Sequence, residues 1–335
     1  MNAGGAHWVW LALPVLLTAA LWLAARLERR GTGFWQQNGG VVGSYLVVAI
    51  GVWALMLVAL PEISMIELSF RPKLPPSAAG GPRDVYTLAN YRYFLFGSAT
   101  STAAWNATHL RAFATTIGAS VVVTALDLIV CYPLAYILAK VARGPWLRVL
   151  LLLLIAPYWI NEVLRAFALR VLFGGSGVLN TALQGIGLTH APVDFIGDDI
   201  AMYAGLVYAY ILLMVFPLTN AIESLPDDQI EAARDLGAPW WRIHRDIVMA
   251  HARPGLASGC TLVFMLSAGS LAAPLILGGP RTLWFTPIVY DRFYQAFNWP
   301  QGAAYALLLL LACALFVIVV LRATRLSLAA ITTRQ

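Results

Sequence analysis

The sequence is poor in charged residues. Only 11% of its 335 residues are charged and 60% are hydrophobic, whereas soluble domains average about 25% charged residues. Lysine occurs only at Lys73 and Lys140, so the net charge of +6 comes almost wholly from arginine. The basic residues are scattered and form no stripe, which argues against a nucleic-acid partner. The composition instead predicts an all-α integral membrane protein that lies in a lipid bilayer.

Motifs for catalysis and for cofactors are also lacking. The sequence contains no GxxxxGK[ST] phosphate-binding loop, no HExxH and no GxSxG. Its three cysteines lie inside apolar runs without CxxC spacing, and its five histidines are dispersed. The sequence therefore predicts no catalytic residue, no bound metal and no bound cofactor, and it does not indicate an enzyme.

Long apolar runs are abundant. A spanning helix needs about 20 mostly apolar residues, and seven stretches qualify. They are Trp8–Ala25, Val41–Pro61, Ala112–Ala139, Val149–Leu172, Ile200–Ile222, Pro254–Leu277 and Gly302–Leu321. No basic residue precedes the first stretch, whereas Arg26, Arg29 and Arg30 follow it. This asymmetry predicts a retained span with the N-terminus outside the cell.

The other basic residues agree with that orientation. Most of the 22 lysines and arginines fall on the segments that would then be inside, which places the C-terminus in the cytoplasm. The predicted organisation is an extra span with its linker (1–40), a first core span with its outer loop (41–111), a core (112–322) and a cytoplasmic tail (323–335).

The segment Leu225–Gly255, called here the polar loop, is the longest polar interval in the C-terminal half. Ser224 can cap a helix, and Asp227 and Asp228 favour the positive end of that helix. Gly237 has the backbone freedom for a sharp stop. The apolar face of this first predicted helix is Ile230, Ala233 and Leu236.

A second amphipathic helix is predicted from about Pro239 to Ala252, because proline cannot continue the first helix. Arg242 and Asp246, four residues apart, form a predicted ion pair on its surface. Its apolar stripe is Trp240, Ile243 and Ile247. An amphipathic helix resting on the inner leaflet is the alternative for the polar loop, although anionic lipid would repel the acidic cluster of the first helix.

The residues Glu231-Ala232-Ala233, then Gly237 after three residues and Ile247 after nine more, carry a resemblance. The pattern is similar to the EAA loop of binding-protein-dependent ABC importer permeases. It falls on the predicted cytoplasmic side, before the last two predicted spans, as in that family.

The resemblance implies partners that bind and hydrolyse ATP. In the family this loop is a short coupling helix seated in a groove of a cytoplasmic ATPase, and Leu236 is expected at the same surface. ATP and magnesium are then expected on a separate ABC ATPase dimer. A sister permease and a periplasmic solute-binding protein are further expected partners, in a bacterial inner membrane. The common plan has six spans, to which Trp8–Ala25 is extra. The family pattern usually ends Ile-x-Leu-Pro, whereas Met249-Ala250 stand here.

Other stretches resemble the polyamine branch of these permeases. They are Pro157-Tyr158-Trp159 with Arg165 and Gly177-Val178-Leu179-Asn180, Leu277-Gly278-Gly279-Pro280, and Asn298-Trp299-Pro300-Gln301-Gly302. The resemblance covers roughly Gly43 to Arg322. It implies a polyamine such as spermidine or putrescine, or a related small organic cation, as the solute.

Ionisable residues inside the predicted spans have two interpretations. Asp127 lies midway along the third stretch, where a charge costs about 2.5–3.5 kcal/mol on insertion scales, and it is predicted to line a translocation path. Glu162 and Arg165 share one helical face, which favours an internal ion pair. In the alternative, Glu162 joins Asp127 in attracting an amine, and Tyr158 and Trp159 offer cation–π faces.

A candidate gate lies late in the sixth stretch. Pro274 removes a helix hydrogen bond and Gly269 loosens the turn before it, so this region with Gly278 and Gly279 is predicted to contribute to an outer gate. An ordinary proline kink is the alternative. Asp291, in a predicted helix at the outer surface, is a further candidate at the mouth of the path.

Two other functions stay open at the level of sequence. A stand-alone transporter could use Asp127 and Glu162 for ion coupling, although the paired repeats typical of such transporters are not found. A membrane scaffold without transport activity is the third interpretation, and the buried charges count against it.

Overall fold

A computed structural model of the chain describes residues 40–78, 80–97 and 104–324. All regular secondary structure in these ranges is helical, and they contain no strand. The helices are α1 (Gly40–Ala54, continued by a π turn at Leu55–Ala59 and by Leu60–Ser69), α2 (Ala89–Phe96), α3 (Ala107–Tyr136, continued by a π turn at Ile137–Val141), α4 (Pro145–Ile155, with a 3-10 turn at Ala156–Trp159), α5 (Glu162–Leu172), α6 (Val178–Gly185), α7 (Ile200–Glu223), α8 (Asp227–Asp235), α9 (Trp240–Ile243, continued by a π turn at His244–Val248 and by Met249–His251), α10 (Arg253–Gly269), α11 (Ala272–Leu277), α12 (Phe285–Tyr294) and α13 (Trp299–Thr324).

Four helices in the described residues are long and apolar enough to cross a membrane. They are Tyr45–Ser69 in α1, Ala107–Val141 in α3, Ile200–Glu223 in α7 and Trp299–Thr324 in α13. Each coincides with one of the predicted stretches, those that begin at Val41, Ala112, Ile200 and Gly302. The predicted span Trp8–Ala25 lies outside the described residues.

The fourth predicted stretch, Val149–Leu172, is not one continuous helix. It divides into Pro145–Trp159 and Glu162–Leu172, which meet at an angle of 98°. The side chain of Asn161 caps α5 by accepting a hydrogen bond from the N–H of Val163, at 2.9 Å. An asparagine cap that follows an extended residue starts a new helix instead of continuing the old one. With both halves counted as one broken span, the described residues hold up to five candidate spans.

The sixth predicted stretch, Pro254–Leu277, is also interrupted. α10 ends at Gly269, Ser270 is extended with ψ 131°, and α11 begins at Ala272. The break therefore falls between Gly269 and Pro274, where the sequence predicts a weak point. At 17 residues, α10 is shorter than the roughly 20 residues that cross a bilayer.

The chain forms two units, and the smaller one consists of residues 40–106 with Asp291–Leu307 among those described. Its polar centre is Arg71, which pairs with Glu67 at 2.6 Å and with Asp84 at 2.9 Å. A hydrogen bond from the backbone of Gly80, together with Arg71, holds the pKa of Asp84 below its usual range. Lys73 donates to the carbonyl of Ala296 at 2.8 Å. These contacts join the segment after α1 to the segment before α13.

The larger unit consists of Ala107–Tyr290 with 308–324 among the described residues. Its core lies where α7 packs against α3 and α10. A Cβ added at Gly255 would lie 2.4 Å from the carbonyl oxygen of Pro217, and one at Gly259 would lie 2.8 Å from the sulfur of Met214. The two glycines are four residues apart, a spacing that lets membrane helices approach closely. The spacing of Gly255 and Gly259 is thus a further signal in the sequence for close helix packing.

The close approach of α7 and α10 predicts the effect of filling it. We expect Gly259→Leu to destabilise the folded unit by about 1–3 kcal/mol, because the added side chain would meet Met214 in a packed interface. Thermal unfolding of the purified protein in detergent measures the change. Gly118→Leu is the matched control, since Gly118 is exposed in α3 with open space at its Cβ position. Equal stability of the two variants would contradict this account of the interface.

Candidate functional site

The polar loop forms the two helices that the sequence predicts. α8 carries Asp227 and Asp228 in its first turn, and its Ile230 is buried. The helix begins at Asp227 with Pro226 as its N-cap, whereas Ser224 instead donates to the carbonyl of Ala221 at 2.9 Å. Ser224 as a helix cap is therefore wrong, because Pro226 stands between it and the first turn.

Three of the family-like residues face away from the protein. Glu231 and Ala232 are exposed on α8, and Leu236 is 88% exposed. The prediction that Leu236 shares one face with Ile230 and Ala233 is wrong, since Leu236 lies past the end of α8 at the turn. Ala233 is half-buried and packs against the core. An exposed leucine beside an acidic residue and a small residue makes a surface suited to a protein partner.

The turn between α8 and α9 depends on Gly237. Its φ is +74°, in the left-handed region, and open space surrounds its Cβ position. Its N–H donates to the carbonyl of Arg234 at 2.8 Å, and the next N–H, of Ala238, donates to Ala233 at 3.0 Å. These bonds complete the last turn of α8, and Pro239 then caps α9. The predicted glycine stop is confirmed.

The second helix differs from the prediction in its side-chain pairing. Asp246 pairs with Arg245 at 2.7 Å, not with Arg242. The π turn at His244–Val248 widens the helix, so residues four apart no longer lie one above the other. Hydrogen bonding and charge from Arg245 hold the pKa of Asp246 below its usual range.

The predicted apolar stripe of α9 is only partly buried. Ile243 is buried and Ile247 packs against the core, but Trp240 is 71% exposed. Trp241 is also exposed. Together with Leu236, these tryptophans leave a large apolar surface on the polar loop uncovered.

Asp127 lies deep inside the larger unit. Its side chain is fully buried on α3, and neither carboxylate oxygen has a hydrogen-bond partner in the described part of the chain. A buried carboxylate without partners is costly. The cysteine one turn along, Cys131, contacts the carbonyl of Ile211 in α7, so Asp127 lies beside the packed faces of α3 and α7. Its assignment to a translocation path stays a prediction.

The expected ion pair on α5 is not formed. Glu162 and Arg165, both well inside the described residues, make no ion pair. The guanidinium of Arg165 lies over the ring of Tyr158, 4.6 Å from its centroid, and over the ring of Tyr208 at 5.7 Å. The arginine therefore stacks on tyrosines within its own chain, which leaves the carboxylate of Glu162 uncovered.

Tyr158 has a structural task at the bend. Its hydroxyl donates to the carbonyl of Ala209 at 2.7 Å and accepts from the N–H of Leu212 at 3.1 Å. It thus ties the 3-10 turn after α4 to the backbone of α7. The neighbouring Trp159 is 82% exposed. Arg165 thus covers one face of the Tyr158 ring, which is one of the two rings predicted to contact a substrate.

The uncovered carboxylate lines a cleft at the break between α10 and α11. The cleft, called here the break cleft, has a volume of about 340 Å³ and is lined by Glu162, Tyr210, Gly269 and Ser270, with apolar neighbours. Open space surrounds the Cβ position of Gly269. Sequence reasoning did not identify Tyr210 or Ser270, because only the fold brings them to Glu162.

The turn after α11 is packed against the start of α7. A Cβ at Gly278 would lie 2.3 Å from the carbonyl oxygen of Pro274, and one at Gly279 would lie 2.6 Å from that of Ile196. Asp199, with φ +59°, accepts hydrogen bonds from the N–H of Gly279 and the hydroxyl of Thr282. The glycines at 278 and 279 therefore allow a close backbone contact, and their role in a gate stays a prediction.

Asp291, the last candidate for the path, belongs to the smaller unit. It is exposed on α12. Sequence reasoning also missed Asp199, which holds the turn after α11. It missed two contacts between α3 and the polar loop as well, namely Tyr132 with His244 and Lys140 with Asp227. The spacing of Tyr132 and Tyr136 was a usable signal, because residues at i and i+4 share one helical face.

The hydrogen bonds of Asp199 make a testable element. We expect Asp199→Ala to loosen the segment 278–284, because two bonds to a carboxylate, each worth about 1.5–3 kcal/mol, are lost. Faster backbone hydrogen exchange in this segment of the purified protein measures the loss. Asp199→Asn should lose less, since asparagine keeps an acceptor and tolerates positive φ. Asp198→Ala is the control, because Asp198 is an exposed neighbour. Equal rates of backbone hydrogen exchange in the two alanine variants would show that Asp199 does not hold this segment.

The sequence of this chain is similar to those of several known transport proteins. The spermidine/putrescine transport system permease protein PotB of Haemophilus influenzae is 30% identical over 280 residues, covering 84% of this chain and 93% of the relative. The protein of the same name from Escherichia coli K12 is 31% identical over 282 residues, covering 84% and 97%. The molybdenum transport system permease protein ModB of Azotobacter vinelandii is 30% identical over 173 residues, covering 51% and 73%.

Solved structures share the fold. A bacterial ABC transporter involved in the import of the acidic polysaccharide alginate matches with a TM-score of 0.65 and 17% identity, covering 90% of this chain and 98% of that chain. The alginate transporter in complex with an alginate pentasaccharide-bound periplasmic protein matches with a TM-score of 0.66 and 17% identity, covering 89% and 100%. The family described as "Binding-protein-dependent transport system inner membrane component" matches residues 131–331. The chain belongs to that family and is a multi-pass permease subunit of an ABC importer in the inner membrane.

Proposed function

We propose that this permease imports polyamines or related small organic cations, delivered by a periplasmic binding protein. The observation that carries the proposal is the break cleft, an open volume at a helix end that Glu162 lines. The relatives whose names refer to spermidine and putrescine match this chain over most of its length. A carboxylate in a cleft is the chemistry that an ammonium group needs.

Two helix ends meet at the break cleft. α10 stops at Gly269 with its negative carbonyl end there, and the shorter α11 begins at Ala272 with its positive end there. The hydroxyl of Tyr210 lies there as well and donates to the carbonyl of Leu266 at 3.1 Å. Unwound backbone at this depth is tolerated where it lines a cavity. Because the two helix ends oppose each other, Glu162 is the group that would attract a positive charge to the cleft.

Energy is proposed to enter at the polar loop. Leu236, Trp240 and Trp241 are exposed large apolar side chains next to Glu231, and water or anionic lipid is a poor partner for that combination. A groove on a cytoplasmic ATPase would cover them. ATP and magnesium would be held by a dimer of that ATPase, whose closure moves the loop.

The remaining features of the assembly follow from this scheme. A sister permease would complete the pathway. The N-terminus would lie outside the cell and the C-terminus inside. Trp8–Ala25 would be a seventh span, added to a six-span core. The break between α10 and α11, together with Gly278, Gly279 and Pro274, would act in the outer gate. Asp127 and Asp291 are further candidates for the path.

The apolar surface of the polar loop predicts how the ATPase attaches. We expect Leu236→Asp to reduce co-purification of the ATPase about tenfold or more, because a charge would replace an apolar contact that is desolvated on docking. Affinity purification from native membranes measures it. Ile186→Asp is the matched control, since Ile186 is another exposed aliphatic residue but lies beyond the end of α6. An unchanged yield of ATPase with Leu236→Asp would contradict the docking surface.

The break cleft predicts where the cation binds. We expect Glu162→Gln to lower putrescine uptake in whole cells about 10-fold to 100-fold, as a contact with a charged group is lost. Gly269→Leu should also lower uptake, since its side chain would project into the cleft without meeting the protein. Glu223→Gln, at an exposed carboxylate at the end of α7, is the control and should leave uptake unchanged.

The same assay separates the importer from an ion-coupled transporter. Uptake should stop when the partner ATPase is deleted and should persist when an ionophore collapses the ion gradient. The opposite pair of results would overturn ATP coupling in favour of coupling through Asp127 and Glu162. Full uptake by Glu162→Gln would remove the break cleft from the path.

A further inference from the structure

One face of the inner end of α3 contacts both helices of the polar loop. The face consists of Tyr132, Tyr136 and Lys140, spaced four residues apart, and is called here the α3 stripe. Tyr132 and Tyr136 share one helical face, and Lys140 follows them in the π turn at Ile137–Val141. The α3 stripe presents one surface to the loop because all three side chains contact loop residues.

Lys140 attaches α3 to the first helix of the loop. Its ammonium group pairs with Asp227, at the start of α8, at 2.7 Å and also donates to the carbonyl of Leu225. The lysine side chain is 10% exposed, whereas that of Asp227 is 55% exposed, so solvent still screens the pair from the side of the aspartate. The hydrogen bond and charge of Lys140 hold the pKa of Asp227 below its usual range.

The two tyrosines attach α3 to the second helix. His244, in the π turn of α9, is buried, and its Nδ1 lies 2.7 Å from the hydroxyl of Tyr132. Its ring centroid lies 4.5 Å from that of Tyr136 and 4.3 Å from that of Trp240. An imidazole between two aromatic rings, with a hydrogen bond to a third, has its orientation fixed.

The outer end of α3 has an attachment of its own. The hydroxyl of Thr116 accepts a hydrogen bond from the N–H of Phe285, at 2.8 Å, and the ring of Phe113 packs edge-on against Phe285 at 5.2 Å. Phe285 begins α12 and follows the turn held by Asp199. Thr116 and Lys140 lie 24 residues apart, which is about 36 Å along a helix.

We propose that α3 is a strut that carries displacement of the polar loop to the segment at Phe285, with the α3 stripe as its inner attachment and Thr116 as its outer one. The inference rests on the proposed function, in which an ATPase moves the loop. Lys140, Tyr132 and Thr116 are positioning residues, since none of them is proposed to contact the solute or the nucleotide. α3 with its π turn is one helix of 35 residues, in which Pro133 removes one backbone hydrogen bond without ending the helix.

The test measures coupling and not assembly. The complete transporter is reconstituted in proteoliposomes with its binding protein, and putrescine import is divided by ATP hydrolysed. We expect Lys140→Met, Tyr132→Phe and Thr116→Val to keep the ATPase bound and active while this ratio falls about fivefold or more. The controls are Arg148→Met at an exposed inner arginine and Thr115→Val at an exposed neighbour of Thr116, and both should keep the wild-type ratio.

Two rescue variants separate a positioning role from simple damage. The exchange Lys140→Glu with Asp227→Lys should recover part of the ratio that Lys140→Glu alone loses, because the pair is restored but the bond to Leu225 is not. In a double-mutant cycle, Tyr132→Phe and His244→Phe together should lose no more than either alone.

Other outcomes overturn the strut. The proposal fails if the three variants keep the wild-type ratio of putrescine imported to ATP hydrolysed. It also fails if the control variants lose as much of this ratio, or if the three variants lose the ATPase during purification. The proposed function fails separately, if the unaltered chain imports putrescine without ATP hydrolysis.

Discussion

A helix that is interrupted inside a membrane must have its free backbone groups satisfied by the protein, because lipid offers no hydrogen bonds. This constraint accounts for the position of several polar side chains in the larger unit. Asn161 caps α5 after the 98° bend, and the hydroxyl of Tyr158 bonds to the backbone of α7 beside it. At the break after α10, the hydroxyl of Tyr210 donates to the carbonyl of Leu266, and the hydroxyl of Thr286 donates to that of Ala268. Each interruption thus has its own polar support.

An interrupted helix can leave a charged side chain beside an open cavity. Where α10 ends, the carboxylate of Glu162 and the hydroxyl of Tyr210 line the break cleft. A continuous helix would fill that volume with its own side chains and would pair its last carbonyl groups internally. The weak point between Gly269 and Pro274 is therefore what makes a polar cavity possible in an otherwise apolar bundle. By contrast, the carboxyl group of Asp127 lies within the continuous α3, where its oxygens have no hydrogen-bond partner among the described residues.

Sequence reasoning succeeded where local rules dominate. The long helices α3, α7 and α13 follow from apolar length, and the stop at Gly237 follows from the left-handed backbone that glycine adopts readily. It failed where a charged side chain has more than one possible partner. Arg165 stacks on tyrosines instead of pairing with Glu162, and Asp246 pairs with Arg245 because a π turn shifts the helical register.

The sequence by itself determined that the chain is a helical membrane protein, that the polar loop is a helix, a glycine turn and a helix, and that the family resemblance lies there. These properties depend on composition and on residues within a few turns of one another. Only the tertiary structure decided that Lys140 meets Asp227, that Tyr132 meets His244, and that Glu162 shares a cleft with Tyr210. Those contacts join residues far apart in the chain, and the packing of α3, α7 and α10, which no local pattern specifies, brings them together.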